Sequence, residues 1–344
     1  MNIANSVLPA GPLDGVRVLD LTTVFMGPSC TQLLGDLGAD VIKIEAPHGD
    51  STRAIGPCGE LGLGPLFLGL NRNKRSVVLD LKTPEGVEAL LRLAREADVF
   101  TTNVRPAAMR RLGLGYERLA AENPRLIYAS MVGFSQRGPY AAKAAFDDMI
   151  QAATGLAAAV GQGSGGVPRY LPITIADRSV GLYAFGVICA ALHARHRTGV
   201  GQSIDIPMFE TMIPYVLGDY LYGHLRAEPG DFGYPCLMTP NRRPYKTQDG
   251  YVCCLIYVDR HGRPTRASSS TPIPRWSARS WRPPCPANGR ARPTHRTPVP
   301  VLDQHTAKVL REAGYTDADI QTLIDRGAAR GPALPASAPK ETRA

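Results

Sequence analysis

The stretch GPLDGVRVLDLTTVFMGPSCTQLLGDLGADVIKIEAPHGDSTR, residues 11–53, decides the fold of this chain. Residues 16–21 form an apolar run typical of a short strand. Gly27 and Pro28 predict a helix start, because proline lacks the N–H that would be unpaired in the first turn. Gly38 ends this helix, and residues 41–45 predict a second strand. Since a helix connects the two strands, we expect a parallel βαβ unit.

The same alternation continues along the chain. Further strands are predicted at residues 77–81, 99–103, 126–131 and 202–207. Helices are predicted at residues 84–95, 107–112, 179–197 and 208–225, and residues 239–257 predict an extended piece, a turn and a strand. Strands alternating with helices at these lengths predict an α/β fold, with a parallel sheet flanked by helices.

Composition narrows the class of protein. The 344 residues suggest about two domains, and no apolar run approaches the roughly 20 residues that cross a bilayer. Residues 1–10 lack the charged and apolar regions of a signal peptide. The seven cysteines show neither a CxxC pair nor a zinc-site spacing. We therefore expect a cytoplasmic enzyme with no metal ion and no membrane partner.

The net charge of +9 comes from one unusual segment. Residues 260–300 hold nine arginines and nine prolines, with no lysine, aspartate or glutamate and no helical or strand period. Such a segment predicts disorder, because it cannot bury enough apolar surface. It could be a disordered basic arm, a nucleic-acid-binding tail or a stretch read in a shifted frame, and we favour the shifted frame. A basic nucleic-acid-binding protein is the alternative function of another class.

Regular sequence resumes in residues 301–330, where two short amphipathic helices are predicted. Thr316 with Asp319 is typical of a helix start, and Gly327 of a helix end. Residues 331–344 predict a disordered tail rich in alanine and proline.

Several residues could carry chemistry. Gly161, Gly163 and Gly166 fit a dinucleotide pattern, but no helix is predicted after them, so a flexible turn is favoured. Asp177 lies at the head of the predicted helix 179–197, where a cap is the favoured role on sequence grounds alone. Asn103 ends an apolar strand, and ligands of open α/β sheets gather at the carboxyl ends of strands.

Five motifs together resemble the class III CoA-transferase family. They are GADVIKIE with GD-x-x-R (residues 38–53), NKRS (73–76), N-x-R-P (103–106), D-x-x-x-G (177–181) and R-x-x-T-G-x-G-Q (195–202). The resemblance runs over residues 11–257 and resumes near Gln304. It implies a Rossmann-like parallel sheet, a smaller second domain, truncated here, and an interlocked homodimer. The implied division is a large CoA-binding domain at 1–198, and a linker helix with the start of the small domain at 199–259.

The resemblance also implies a reaction. Asp177 would attack an acyl-CoA thioester, giving a mixed anhydride and then an aspartyl-CoA thioester that a carboxylic acid acceptor resolves. CoA would be a substrate, with no tightly bound cofactor. The residues implied to contact CoA are Val24, Lys74, Arg75, Leu79, Lys82, Asn103, Arg105, Arg111 and Lys143.

Two departures separate this chain from family subgroups. Racemases of this fold carry a histidine where Phe146 stands, so a transferase is favoured and an acyl-CoA racemase is the alternative. The glycine-rich loop of formyl-CoA transferases is not recognisable between Gly223 and Thr247. Oxalate and formate are therefore not favoured as substrates. Without the family sequence expected after residue 257, we predict a poorly soluble or inactive chain.

Overall fold

The computed structural model describes residues 11–57, 59, 62–163, 166–225, 233–239, 241–253 and 297–331. Residues 260–296 of the arginine-rich segment and residues 332–344 of the tail lie outside this part, so the predicted disorder there stays a prediction. The chain divides into two units, which are described separately. The first contains residues 1–144, 177–208 and 287–344, and the second contains residues 145–176 and 209–286.

The first unit is built on a seven-stranded sheet. Its strands are β1 (Arg17–Leu21), β2 (Asp40–Glu45), β3 (Lys74–Leu79), β4 (Val99–Thr102), β5 (Ile127–Val132), β6 (Gln202–Pro207) and β9 (Ala329–Arg330). Their order is β6-β5-β4-β1-β2-β3-β9, and only the β3–β9 pair is antiparallel. The predicted α/β fold with a mostly parallel sheet is thus confirmed. The chain leaves β1 towards one edge and returns to β4 on its other side, so the direction of winding reverses between these two strands.

Helices connect and cover these strands. In the first unit they are α1 (Met26–Asp36), α2 (Pro65–Leu70), α3 (Pro84–Ala94), α4 (Pro106–Arg111), α5 (Tyr116–Glu122), α8 (Ile175–Thr198, from Asp177 onward), α10 (Thr306–Glu312) and α11 (Asp317–Asp325). α3 starts where the sequence predicts, because the Thr83 side chain accepts a hydrogen bond from the Gly86 N–H. The capping box predicted from Thr316 and Asp319 is also present.

The core of the first unit lies between the sheet and these helices. Leu19, Ile42 and Phe100 are fully buried, and Val309 and Leu310 of α10 join the same cluster. Each of these strands is largely buried on both faces, so its apolar residues do not simply alternate with exposed polar ones.

The second unit is mainly helical. It contains α6 (Asp147–Ala153), α7 (Leu156–Gly163), α9 (Met208–Tyr220, whose first residue belongs to the first unit) and a hairpin of β7 (Tyr245–Lys246) and β8 (Tyr251–Val252). The predicted flexible turn at Gly161 and Gly163 is wrong, because both glycines end α7. A helix precedes them and none follows, so the dinucleotide motif is still not formed.

Several predicted boundaries differ from the structure: the helices predicted at 179–197 and 208–225 are Ile175–Thr198 and Met208–Tyr220. β3 begins at Lys74 rather than residue 77, because a buried ion pair lets a lysine enter the strand. The first unit extends through β6 to residue 208 and takes up the C-terminal helices, instead of ending at 198. The predicted disorder up to residue 300 is wrong for residues 297–300, since Asn73 bonds Thr297 and Arg53 donates to the Pro300 carbonyl.

Candidate active site

The loop after β1 lies where the winding of the sheet reverses. Asp20 is the last fully buried residue of β1. Its carboxylate accepts hydrogen bonds from the Thr22 N–H at 3.0 Å and the Thr31 hydroxyl at 2.7 Å. Lys43, from neighbouring β2, donates to the Thr22 carbonyl at 2.8 Å. Crevices at such reversals are where open α/β sheets bind ligands.

Asn103, the residue after β4, holds the same loop from the other side. Its Oδ1 accepts from the Thr23 N–H at 3.0 Å, and its Nδ2 donates to the Thr23 carbonyl at 2.8 Å. The predicted position of Asn103 at the carboxyl end of a strand is confirmed. Its amide bridges β1 and β4 across the reversal point.

Val24, the next residue, has an unusual backbone. Its φ is +71°, in the left-handed region that β-branched residues avoid. The Val24 N–H donates to both Asp50 carboxylate oxygens, at 3.3 and 3.4 Å. Its side chain is 39% exposed. The loop therefore ends with a strained residue, and its backbone N–H is held by Asp50 in the segment after β2.

A buried charge network lies beneath this loop. Lys43 pairs with Asp50 at 3.0 Å, Lys74 with Asp20 at 3.0 Å, and both pairs are completely hidden from solvent. Burial raises the pKa of Asp20, but the ammonium groups of Lys74 and Lys43 outweigh this and lower it to about 2. Burial opposes the charge of Lys43, yet its carboxylate neighbours raise its pKa above the ordinary value. The network is therefore ionised at neutral pH.

Asp177 lies in the first turn of α8, half-buried, two residues after the helix begins. The sequence placed it as a cap, but the helix starts earlier, at Ile175. Residues four apart share a helix face, and Gly181 is close enough to α1 that a Cβ there would lie 2.7 Å from the Met26 carbonyl oxygen. The next side chain, Arg178, lies 6.0 Å from the Phe25 ring. The face of α8 that carries Asp177 thus meets the start of α1.

The other residues implied to contact CoA fall into two groups. One group is exposed: Lys82 and Arg105 follow the carboxyl ends of β3 and β4, Arg111 ends α4, and Lys143 lies in the segment between β5 and α6. Lys143 lies over the Tyr140 ring, with its Nζ 3.8 Å from the ring centroid. These positions leave their cationic ends open to a ligand phosphate.

The residues of β3 form the second group, and the structure does not favour them as CoA contacts. Lys74 is 1% exposed, and its ammonium donates to Asp20, Thr31, Asn71 and the Pro28 carbonyl. Arg75 pairs with Asp40 and Glu312, and the Leu79 side chain is fully buried. Lys74 and Arg75 begin β3 at its amino end, and the Lys74 ammonium reaches Asp20 in the network beneath the loop rather than the solvent-exposed crevice. Their burial and ion pairs favour structural roles for these three residues, and their contact with CoA stays a prediction.

The sequence analysis missed Asp20, Lys43 and Asp50. A signal for two of them exists, because Asp20 and Lys43 interrupt apolar strands of a parallel sheet, where both faces are normally apolar. Among the described residues, no group of three or more His, Cys, Asp or Glu side chains is placed to hold a metal ion.

Known proteins resemble this chain in sequence. The sequence model of CoA-transferase family III matches residues 13–278. The chain is 46% identical over 210 residues to acetyl-CoA:oxalate CoA-transferase of Acetobacter aceti, covering 60% of this chain and 54% of that protein. It is 43% identical over 261 residues to succinate–glutarate CoA-transferase of Agrobacterium fabrum, covering 72% and 64%.

Solved structures give the same result. A CAIB/BAIF family protein from Brucella suis is 37% identical, with a TM-score of 0.64, over 71% of this chain and 66% of that one. The protein Rv3272 from Mycobacterium tuberculosis is 34% identical, with a TM-score of 0.62, over 74% and 68%. The chain spans little more than half the length of several of the curated relatives that it matches.

Proposed function

The chain belongs to CoA-transferase family III, and from this premise we propose that it moves CoA from an acyl-CoA donor to a carboxylic acid acceptor. The observation that carries the proposal is that the α8 face carrying Asp177 packs, through Gly181 and Arg178, against the start of α1, directly after the loop at the reversal point of the sheet. A carboxylate in the first turn of a long helix is stabilised by the helix dipole. It is also half-buried and therefore partly freed of water.

Asp177 acts as the nucleophile in this proposal. One of its oxygens attacks the thioester carbon, the C–S bond breaks, and CoA leaves as a thiolate while a mixed anhydride forms. The thiolate then attacks the Asp177 carbonyl and releases the donor acid, leaving an aspartyl-CoA thioester. The acceptor carboxylate then attacks the aspartyl-CoA thioester, which forms a second mixed anhydride and releases the CoA thiolate. The thiolate attacks the acceptor carbonyl, which gives the new acyl-CoA and regenerates the Asp177 carboxylate. Covalent catalysis of this kind divides one difficult transfer into easier steps.

The CoA site follows from the exposed cations at the carboxyl end of the sheet. Lys82, Arg105, Arg111 and Lys143 supply positive charge for the phosphates, since none of them is buried. Val24 and Asn103 contribute the loop against which the thioester end lies. Lys74, Arg75 and Leu79 hold the sheet and are left out of the site.

The acceptor is a small carboxylic acid. Relatives of this chain are named for transfer to oxalate and for transfer between succinate and glutarate. Short dicarboxylic acids therefore belong in a screen of carboxylic acid acceptors, and acetyl-CoA and succinyl-CoA are the first donors to test. The screen measures exchange of CoA between donor and acceptor by mass spectrometry.

Asp177→Ala tests the assignment. The substitution removes the nucleophile, so we expect no CoA exchange and no CoA adduct on the peptide that contains residue 177. Asp148→Ala is the matched control, because Asp148 is an exposed carboxylate in the first turn of another helix, α6. This control should keep the exchange rate. Exchange retained by Asp177→Ala would contradict the proposal.

The racemase alternative has a different signature. It predicts that deuterium from D2O enters the α-carbon of an acyl-CoA without any acceptor acid. Phe146, where racemases of this fold carry histidine, is 70% exposed and cannot transfer a proton. We therefore expect no deuterium incorporation, and incorporation that depends on Asp177 would favour the racemase.

A homodimer is part of the proposal. α8 exposes Leu182 and Tyr183, with 58% and 47% of their surface open. By length and composition this helix could also cross a membrane, since 18 of its residues have a mean hydropathy of 1.5, but core helices pass the same test. A second copy that covers this face would explain its apolar character. Light scattering should then give twice the mass of the chain.

A further inference from the structure

Three consecutive loop residues are each held by a different side chain. Lys43 donates to the Thr22 carbonyl, Asn103 bonds both backbone groups of Thr23, and Asp50 accepts from the Val24 N–H. We call Lys43 and Asp50 the loop clamp. Its two members come from β2 and the segment after it, so they reach the loop from one neighbouring strand.

The burial of the loop clamp is difficult to explain by stability. The Lys43 and Asp50 side chains have no exposed surface and lie 3.0 Å apart. Removing two charges from water costs more than their attraction usually returns, and well-packed apolar residues are often equally stable or more so. The charged pair instead fixes the orientation of the loop backbone, because each partner also hydrogen-bonds one backbone group of the loop.

The strained backbone of the Thr22–Val24 loop needs contacts that hold it in place. A β-branched residue at a φ of +71° is strained, and strain of this kind persists only where the surroundings enforce it. Asp50 enforces it directly through the Val24 N–H, and its remaining oxygen capacity is taken by Thr52 and Lys43. Val24 leads at once to Phe25 and Met26, which meet the α8 face that carries Asp177.

We propose that Lys43 and Asp50 are positioning residues for the transfer reaction, holding the Thr22–Val24 loop in the backbone geometry that sets the start of α1 against Asp177. The inference rests on the proposed function of Asp177. Neither residue touches substrate in it, and both act through the loop.

The test separates positioning from stability with a double substitution. Lys43→Met/Asp50→Leu removes both charges together, so the urea midpoint should stay near that of the unsubstituted chain. The kcat for CoA exchange should nevertheless fall by about 10- to 100-fold, because small displacements of reacting groups cost that much. The KM for acyl-CoA should change by no more than about threefold. The single variants, which leave one charge unpaired, should show the same loss of kcat with lower urea midpoints.

Arg195→Met is the matched control. Arg195 pairs with Asp98 at 2.7 Å, but Asp98 lies just before β4, at the opposite end of the sheet from the loop. This substitution should lower the urea midpoint and leave the kcat unchanged. A double clamp variant with unchanged kcat would overturn the inference, as would an equal loss of kcat in Arg195→Met.

A second readout does not depend on turnover. Amide hydrogen exchange at Val24 should be slow in the unsubstituted chain and at least tenfold faster in the double variant. Unchanged exchange there would also overturn the inference. If the printed chain transfers no CoA, as the missing family sequence after residue 257 predicts, the kinetic tests use a chain with that sequence restored. If the restored chain transfers no CoA either, the proposed function fails, and the amide hydrogen exchange at Val24 alone then decides whether the pair holds the loop.

Discussion

At the scale of single residues, Asp20 is a buried carboxylate that holds charged and polar groups from two other elements of the first unit. Its carboxylate, near the end of β1, accepts hydrogen bonds from Lys74 of β3, the Thr31 hydroxyl of α1 and the Thr22 N–H. Its pKa falls from 3.8 to about 2, because the two lysines outweigh the effect of burial. A folded-state pKa below the unfolded one stabilises the protein above about pH 4, and this stability is lost as the pH falls through 2.

Asp20→Asn should make this dependence visible. The variant leaves Lys74 buried without a counter-charge, so the free energy of unfolding at pH 7 should fall by about 3–5 kcal/mol. It should also lose less stability than the unsubstituted chain between pH 4 and pH 2. Urea unfolding at pH 7, 4 and 3 measures both effects. Equal pH slopes in the two proteins would show that Asp20 is not the titrating group.

Asp317→Asn is the control for this experiment. Asp317 pairs with Arg311 at the surface, with both side chains about half-exposed. An exposed pair contributes about 0–1 kcal/mol, so the control should unfold almost as the unsubstituted chain does at pH 7.

At the scale of elements, the crossing of α8 over α1 depends on a glycine. A Cβ at residue 181 would lie 2.1 Å from the Ser29 Oγ and 2.7 Å from the Met26 carbonyl oxygen. Gly181→Ala should therefore push the helices apart, lower the free energy of unfolding by about 1–3 kcal/mol and reduce CoA transfer. Thermal unfolding measures the loss of stability, and the CoA-exchange assay measures the loss of transfer.

Gly186→Ala on the same helix is the matched comparison. A Cβ there would have nothing within 4 Å, so alanine should raise stability by up to about 1 kcal/mol through its helix propensity. If both alanine variants lost stability alike, close packing at residue 181 would not be the cause.

The capping box of α11 gives a second test at this scale. Thr316 accepts from the Asp319 N–H at 3.2 Å, and the Asp319 carboxylate accepts from the Thr316 N–H at 2.9 Å. Thr316→Ala should cost about 1 kcal/mol in urea unfolding. Thr322→Ala, an exposed threonine in the same helix, should cost much less.

The sequence predicts the elements better than the site. Apolar runs, Thr83 and the Thr316 box are local signals, and each marks an element correctly because burial and capping act within a few residues. Lys74 is different, since its ion pair with distant Asp20 lets β3 begin earlier than any local pattern indicates. The loop clamp likewise joins the loop after β1 to β2 and the segment after it. Long-range contacts of this kind cannot be seen in a single sequence.

At the scale of the whole molecule, the charge is unevenly distributed. The excess of +9 lies entirely within residues 260–296, outside the part that the structure describes. The prediction that this chain is poorly soluble or inactive therefore stands untested. Soluble yield, light scattering and CoA exchange of the printed chain measure it, and a stable, active dimer would contradict it. Reading the gene in another frame should reveal family sequence after residue 257.

The nucleic-acid alternative makes a separate prediction about the same residues. Basic segments bind DNA through phosphate contacts, so affinity should fall steeply with salt and vanish when residues 260–296 are deleted. We expect only weak binding without sequence preference. Sequence-selective binding by the described part of the chain would instead support a nucleic-acid function.

The short strand β9 has a consequence for how this protein is made. Val78 and Leu79 of β3 pair with Arg330 and Ala329, so the last strand of the sheet is the last to leave the ribosome. Until then, β3 presents an open edge to other nascent chains, and open edges template aggregation. Synthesis that stops before residue 329 should therefore yield a protein in which the β3 edge of the sheet stays unpaired. A chaperone that covers this edge should raise the yield of the complete chain.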